Sequence, residues 1–310
     1  MSEDGAGRPV LVGYDGSPAA EVALRWGVEE ARLRGLPVTV CHAWHWPYPM
    51  RRPDEETLEI LRGAGAIVAD EGVRKAHALL TGEGVRRARA LAGQRGGDVE
   101  VRWCLERGWA AAVLLQASRD AELVVLGLRG HGGFEGLTVG STAVQVASRA
   151  DRPVVVVGAD TAHDRRDGAP IVVGVDGSPA SEAALGFAFA EAALRGASLL
   201  AVCSWWDPSA LPGPDRAPFV RPDKLRHEAI VRFDQAVAPW RAEYPKVPVE
   251  TRFVVEKPRH ALLDAADGAA LLAVGDRGIG STPQTLLGPV TQAVLQQAPC
   301  PVAVVPAPAR

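Results

Sequence analysis

Residues 10–18 read VLVGYDGSP, and residues 171–179 read IVVGVDGSP. The offset of 161 between Asp15 and Asp176 also carries Arg34 onto Arg195, Gly35 onto Gly196 and Trp44 onto Trp205. Farther along, LVVLGLRG (123–130) matches LLAVGDRG (271–278) and RPVVVV (152–157) matches CPVAVV (300–305), at an offset of 148. The chain is a duplication whose second copy is shorter by the difference, 13 residues, in its middle. A period this long marks two whole domains and not a solenoid of small units. The polar stretch GADTAHDRRDGAP (158–170) has no periodicity and reads as a connection. The expected division is a first domain at 1–158, a linker at 159–169 and a second domain at 170–310.

Each copy alternates short apolar runs with helical patterns. In the first copy, Val10–Tyr14, Val38–Ala43, Val99–Leu105, Leu123–Leu126 and Pro153–Val157 read as buried strands. Ser17 caps a helix that has Pro18 at its first position, Glu21 in its first turn and Gly35 beyond its end. Ala20, Ala23, Leu24, Gly27 and Ala31 give that helix one packing face. Further helices are expected over Glu55–Gln94, Ala110–Ser118 and Gly140–Arg149. Strand–helix alternation of this kind predicts an α/β fold, with a parallel sheet covered on both faces in each domain.

In such a sheet a ligand sits beyond the carboxyl ends of the strands, where the strand order reverses. Two loops should meet there. One is Asp15-Gly16-Ser17. The other reads Gly127-Leu128-Arg129-Gly130, nine residues (131–139), then Gly140-Ser141-Thr142. Glycines let a backbone approach a ligand, and the N–H groups opening a helix attract an anion. The strand before, the helix after and the spaced second glycine favour a phosphate site over a plain Gly-rich surface loop. Arg129 and His131 lie in this loop, where added positive charge and a solvated surface role are equally open readings.

Other chemistries find no support. The 310 residues are 47% hydrophobic and 23% charged, with a net charge of −3, which offers nucleic acid no basic footprint. No apolar run reaches the length of a membrane span, and the polar start of the chain has no signal-peptide core. Cys41, Cys104, Cys203 and Cys300 form no CxxC pair and read as small buried hydrophobes of a reducing cytoplasm. There is no P-loop lysine motif, no S-G-G-x-D-S loop after the first strand and no metal-ligand spacing. His42, near a strand end, reads as a structural imidazole. Trp44, Trp46, Tyr48, Trp205 and Trp206 follow the second strands and read first as packing residues, with covering of a ligand as the alternative. The proline-rich segments Pro47–Pro53 and Pro208–Pro222 at the same place read as lids or partner surfaces.

The spacing G-x2-G-x9-G-[ST], the opening G-x-D-G-S-P, the strand ending His42-Ala43-Trp44 and the closing run from Gly140 to Val157 together resemble the universal stress protein family. The resemblance spans both copies, in the tandem form common in actinobacteria. It implies two Rossmann-like domains of the adenine nucleotide alpha hydrolase-like kind, each a five-stranded parallel sheet. It further implies that the two pack as a pseudo-dimer near their last strands, with a homodimer of tandem chains beyond that. It implies ATP as ligand, with Mg2+ held mainly by the phosphates. Asp15 would face adenine and ribose, and the backbone of Ala43 would recognise adenine. Gly127 and Gly130 would line ribose and phosphates, and Gly140, Ser141 and Thr142 would bind the phosphate chain. In the second copy Asp176, Ser204, Gly275, Gly278 and Gly288 keep the frame. Pro289, however, replaces Ser141, removing an N–H and a hydroxyl together, and Asp276 brings a carboxylate to the position of Leu128. A weaker second site is expected, unless Thr291 and neighbouring N–H groups compensate. The function implied is that of a cytoplasmic, nucleotide-dependent stress regulator acting on an unidentified protein partner. Slow ATP hydrolysis or phosphotransfer, and a scaffold with partly vestigial sites, are the alternatives.

Overall fold

The computed structural model describes residues 7–48, 51–81, 99–131, 139–158, 168–205, 222–279 and 285–308. The chain divides into two compact units, Met1–Ala162 and His163–Arg310. Most of the expected linker, the end of the expected long second helix (82–94) and most of the Pro208–Pro222 segment, with Trp206 before it, lie outside the described residues.

Unit one contains β1 (Val10–Gly13), α1 (Pro18–Arg34), β2 (Val38–Trp44), α2 (Glu55–Thr81), β3 (Val101–Arg107), α3 (Ala110–Ser118), β4 (Leu123–Gly127), α4 (Ser141–Arg149) and β5 (Val154–Val157). Unit two contains β6 (Ile171–Gly174), α5 (Pro179–Arg195), β7 (Leu199–Ser204), α6 (Pro222–Glu243), β8 (Val249–Val254), α7 (Pro258–Ala265), β9 (Leu271–Gly275), α8 (Pro289–Gln297) and β10 (Val302–Val305). The strand order is β3-β2-β1-β4-β5 in unit one and β8-β7-β6-β9-β10 in unit two. All pairs within each unit are parallel. The chain thus forms the tandem α/β domains with five-stranded parallel sheets expected of it.

The order follows from handedness. From β1 to β3 the chain steps outward one way, and right-handed crossovers put α1 and α2 on one face. The return from β3 to β4 reverses direction, so α3 and α4 cover the other. Both α1 and its counterpart begin and end as their sequences dictate. The Ser17 hydroxyl oxygen accepts from the Ala20 N–H at 3.2 Å, and Gly35 takes the left-handed conformation, φ 66°. Ser178 and Gly196 repeat both caps in unit two. Each of these helices also buries one carboxylate, Glu30 or Glu191, matched one turn later by Arg34 at 2.6 Å or Arg195 at 2.9 Å. A buried charge needs such a partner.

The third strand differs most from the sequence reading. β3 runs from Val101 to Arg107, not Val99 to Leu105, because a strand extends as far as its neighbour does: Val38 pairs with Val101 and Trp44 with Arg107. Within α2 the glycines have two roles. A Cβ on Gly72 would come within 2.8 Å of Tyr14, so this glycine permits close packing, whereas one on Gly63 would meet open space.

Candidate functional site

The order reverses between β1 and β4 in unit one and between β6 and β9 in unit two. At the first of these points Asp15 ties two loops together. Its Oδ1 accepts the Ser17 N–H and its Oδ2 accepts the His131 N–H, both at 3.0 Å. The Ser17 hydroxyl reaches the Arg129 carbonyl at 3.4 Å. A Cβ at Gly130 would fall on Oδ2 of Asp15, so glycine is what lets the second loop close onto the first. Gly127 is equally constrained, since a Cβ there would lie 2.6 Å from the Ala19 carbonyl carbon. Burial pushes the Asp15 carboxyl up, but the bonds from Ser17 and His131 outweigh it and hold the group below the usual aspartate value. The tie therefore contributes stability that is fully present above the ordinary aspartate value of 3.8 and is lost as pH falls through the depressed one. Urea unfolding of the protein and of Asp15→Asn should show a stability gap that is constant at neutral pH and closes only below that value. A gap that closes between pH 7 and 5 would contradict the assignment.

Gly140, Ser141 and Thr142, expected to bind phosphate, stand at the start of α4. The Gly140 N–H donates to the Leu128 carbonyl at 2.8 Å, so Gly140 shapes the turn and does not offer its own N–H as a phosphate donor. The N–H groups of Ser141, Thr142 and Ala143 open α4 ahead of its internal hydrogen-bond ladder, which starts with Val144 N–H to Gly140 at 3.2 Å. No side chain caps this helix. Ala43 stands on β2 beyond the end of β1. Because Cys41 gives its carbonyl to Tyr14 on the β1 side, the main-chain groups of Ala43, two residues on, face that same side where β1 has ended. The structure thus sets Gly130 against Asp15, Gly127 against the start of α1 and Gly140 against Leu128, with Ser141, Thr142 and Ala43 at the same end of the sheet.

Unit two repeats the tie. Asp176 accepts the N–H groups of Ser178 and Ile279, each at 2.9 Å, and Gly278 is forced as Gly130 is. Here a cavity of about 460 Å³ opens, and Asp176, Ser204, Gly275, Gly278 and Gly288 all line it. Pro289 and Val290 stand in its wall where unit one has Ser141 and Thr142, so both hydroxyls are missing. The Thr291 hydroxyl does not compensate, because it donates to the Gly275 carbonyl at 2.8 Å, whereas the main-chain N–H groups of Val290 and Thr291 still open α8 ahead of the Gln292 N–H to Gly288 bond. The reading of Asp276 needs correction. The residue is 3% exposed, lies outside the cavity lining and accepts the Arg277 Nε–H at 3.0 Å, so its charge is offset before it can repel an anion. The sequence reading missed the far wall, formed by Ala229, Arg232, Phe233 and Ala236 of α6. Their i, i+3, i+4, i+7 spacing was the available signal.

His42 Nδ1 pairs with the Tyr14 carbonyl at 2.8 Å, a structural imidazole. Trp205 lines the cavity and is not a core residue. Trp46 meets Tyr48 with ring centroids 5.0 Å apart. No cluster of three or more His, Cys, Asp or Glu side chains with metal-binding geometry occurs among the described residues. No described helix is long and apolar enough to cross a membrane. The four cysteines stand in different surroundings. Cys41 and Cys104 are register partners on β2 and β3. A hydrogen bond from the Cys41 thiol holds Cys104 below the usual thiol range, against burial and Glu106, while Cys203 and Cys300 are pushed up by burial, to about 11 and about 12. Iodoacetamide at pH 7 should therefore modify Cys104 first, read by peptide mass spectrometry. Equal rates at Cys104 and Cys203 would refute this.

The comparisons with known proteins agree with this architecture. The model of the universal stress protein family matches residues 7–158 and 169–306. A universal stress protein of Mycolicibacterium smegmatis is 32% identical over 96% of this chain and 96% of its own length. Universal stress protein Rv2005c of Mycobacterium tuberculosis is 33% identical over 98% of this chain and 99% of its own. Among solved structures, a universal stress protein from Archaeoglobus fulgidus covers 97% of this chain and 99% of its own with a TM-score of 0.68, at 16% identity, a likeness of fold. Two matched regions, one in each α/β unit, and full-length relatives of the same size mean that the chain belongs to the universal stress protein family.

Proposed function

We propose that the protein is an ATP-binding regulator of a stress response, acting in the cytoplasm through a protein partner that reads nucleotide occupancy. The observation that carries this reading is the first turn of α4. Its N–H groups, with the hydroxyls of Ser141 and Thr142 beside them, open at the switch point of unit one, against loops that Asp15 and Gly130 tie together. An array of main-chain donors at a helix start suits phosphate oxygens. The main-chain groups of Ala43, which face the side where β1 has ended, suit the donor and acceptor edge of adenine. Mg2+ fits as an ion carried by the phosphates, since the described residues offer it no carboxylate cluster. A bound ligand alters a partner's view of the protein only through different affinity for two states.

The test is calorimetric titration of nucleotide-stripped protein with magnesium-ATP, beside Gly130→Asp. The variant places a side chain on the Asp15 carboxylate and adds a like charge. Affinity at unit one should fall by at least about tenfold. Absence of binding at millimolar ATP would overturn the proposal.

A further inference from the structure

We infer that the cavity of unit two selects an adenine nucleoside or nucleoside monophosphate over a triphosphate. This rests on the reading of both units as adenine nucleotide sites and concerns which member of that class unit two takes. The half of the site that would hold adenine and ribose is kept. Asp176 makes the same two bonds as Asp15, Gly278 closes on it as Gly130 does, and Ser204 ends β7 beyond the last residue of β6. Its main-chain groups face the vacant β6 side, because Val202, two residues earlier, gives its carbonyl to Val175. The Ser204 hydroxyl is turned away, donating to the Glu256 carbonyl, and does not obstruct the crevice.

The half that would hold a phosphate chain has lost both hydroxyls and one of the three main-chain N–H donors that open the equivalent helix in unit one. Gly288 spends its N–H on the Asp276 carbonyl at 2.9 Å. Pro289 has neither N–H nor hydroxyl, Val290 replaces a threonine, and Thr291 gives its hydroxyl to Gly275 at 2.8 Å. The Pro289 and Val290 side chains therefore offer carbon where unit one offers hydroxyls, and the N–H groups of Val290 and Thr291 are the donors left there. A polar group buried against carbon without a partner is penalised, and a charged one more so. The charged side chains lining the cavity are Asp176, Arg232 and Arg277. Because Arg277 is already paired with Asp276, Arg232 is the cation left to face a phosphate, and one cation beside the Asp176 carboxylate leaves most of a triphosphate uncompensated. The volume, about 460 Å³, and the apolar walls from Val202, Trp205, Phe233 and Leu262 suit a ring system.

The experiment uses the full chain carrying Gly130→Asp, which silences unit one, titrated separately with adenosine, AMP and magnesium-ATP. AMP or adenosine should bind at least about tenfold tighter than ATP, the effect of one or two missing hydrogen bonds to a charged group. Adding Pro289→Ser with Val290→Thr should raise ATP affinity about tenfold or more and leave adenosine unchanged. ATP binding as tight as AMP in the Gly130→Asp protein overturns the inference, without need of the second variant. So does silence of unit two toward all three ligands when wild-type unit one binds ATP. Absence of binding anywhere in the wild-type chain is a different result, which removes the adenine nucleotide reading itself and this inference with it.

Discussion

Replacing Gly127 with alanine is expected to destabilise unit one by about 2–3 kcal/mol, the upper part of the range for overpacking a filled site. The added Cβ would lie 2.6 Å from the carbonyl carbon and 2.7 Å from the carbonyl oxygen of Ala19. Carbon contacts relax at roughly 3.5–4 Å, so the backbone of α1 must withdraw by about 1 Å. No rotamer change can absorb this, because the obstacle is main chain inside a helix. Withdrawal loosens Ala23, Leu24 and Trp26, which are buried against the sheet, and Gly27, where a Cβ would meet Val12 at 2.5 Å. Gly275 stands the same way, with a Cβ 2.8 Å from that of Ala180, and should respond similarly in unit two. The control is Gly63→Ala. That helical glycine is exposed with nothing within 4 Å, so alanine should stabilise by about 0.5–1 kcal/mol through helix propensity. Urea denaturation of the three proteins decides the matter. A Gly127→Ala midpoint equal to wild type would mean that β4 and α1 do not approach as described.

Much of the fold and of the glycine frame is legible in the sequence, for physical reasons that also limit what is legible. Parallel strands buried on both faces announce themselves as short apolar runs, and caps such as Ser17-Pro18 and Gly35 are chemistry local to a few residues. The repeat doubled each observation. The glycine frame was legible because a close approach leaves no alternative residue. What adjoins the frame was not. That Gly140 spends its N–H on Leu128, that Thr291 turns its hydroxyl to Gly275 and that Asp276 is paired with Arg277 depend on orientation within a loop, which spacing does not encode. The α6 wall of the cavity reached the site through tertiary packing of a helix with no motif of its own. Cys41 and Cys104, 63 positions apart, became neighbours only through the register of β2 and β3.

Installing the unit-two residue in unit one, as Ser141→Pro, is expected to weaken ATP binding there on the order of a hundredfold. Hydrogen bonds to charged groups contribute about 1.5–3 kcal/mol each, and losing the N–H and hydroxyl together amounts to about 3 kcal/mol or more, each 1.4 kcal/mol being tenfold in affinity. The fold should be indifferent. Ser141 is the first residue of α4, where a missing N–H costs the helix nothing, and Pro289 already occupies that position at the start of α8. The backbone around Gly288 matches that around Gly140, with φ −61° and −67° and the same N–H to carbonyl bond across the loop, so proline fits a geometry the protein already builds. Thr142→Val, which removes a hydroxyl and preserves shape, should cost about tenfold by the same reasoning. Calorimetry gives the affinities and a thermal melt without ligand checks the fold. If Ser141→Pro melts like wild type and still binds ATP at full affinity, the phosphates do not lie on the first turn of α4. The difference between the two units would then have to be sought on the strand side of the crevice, at Ala43 and Ser204.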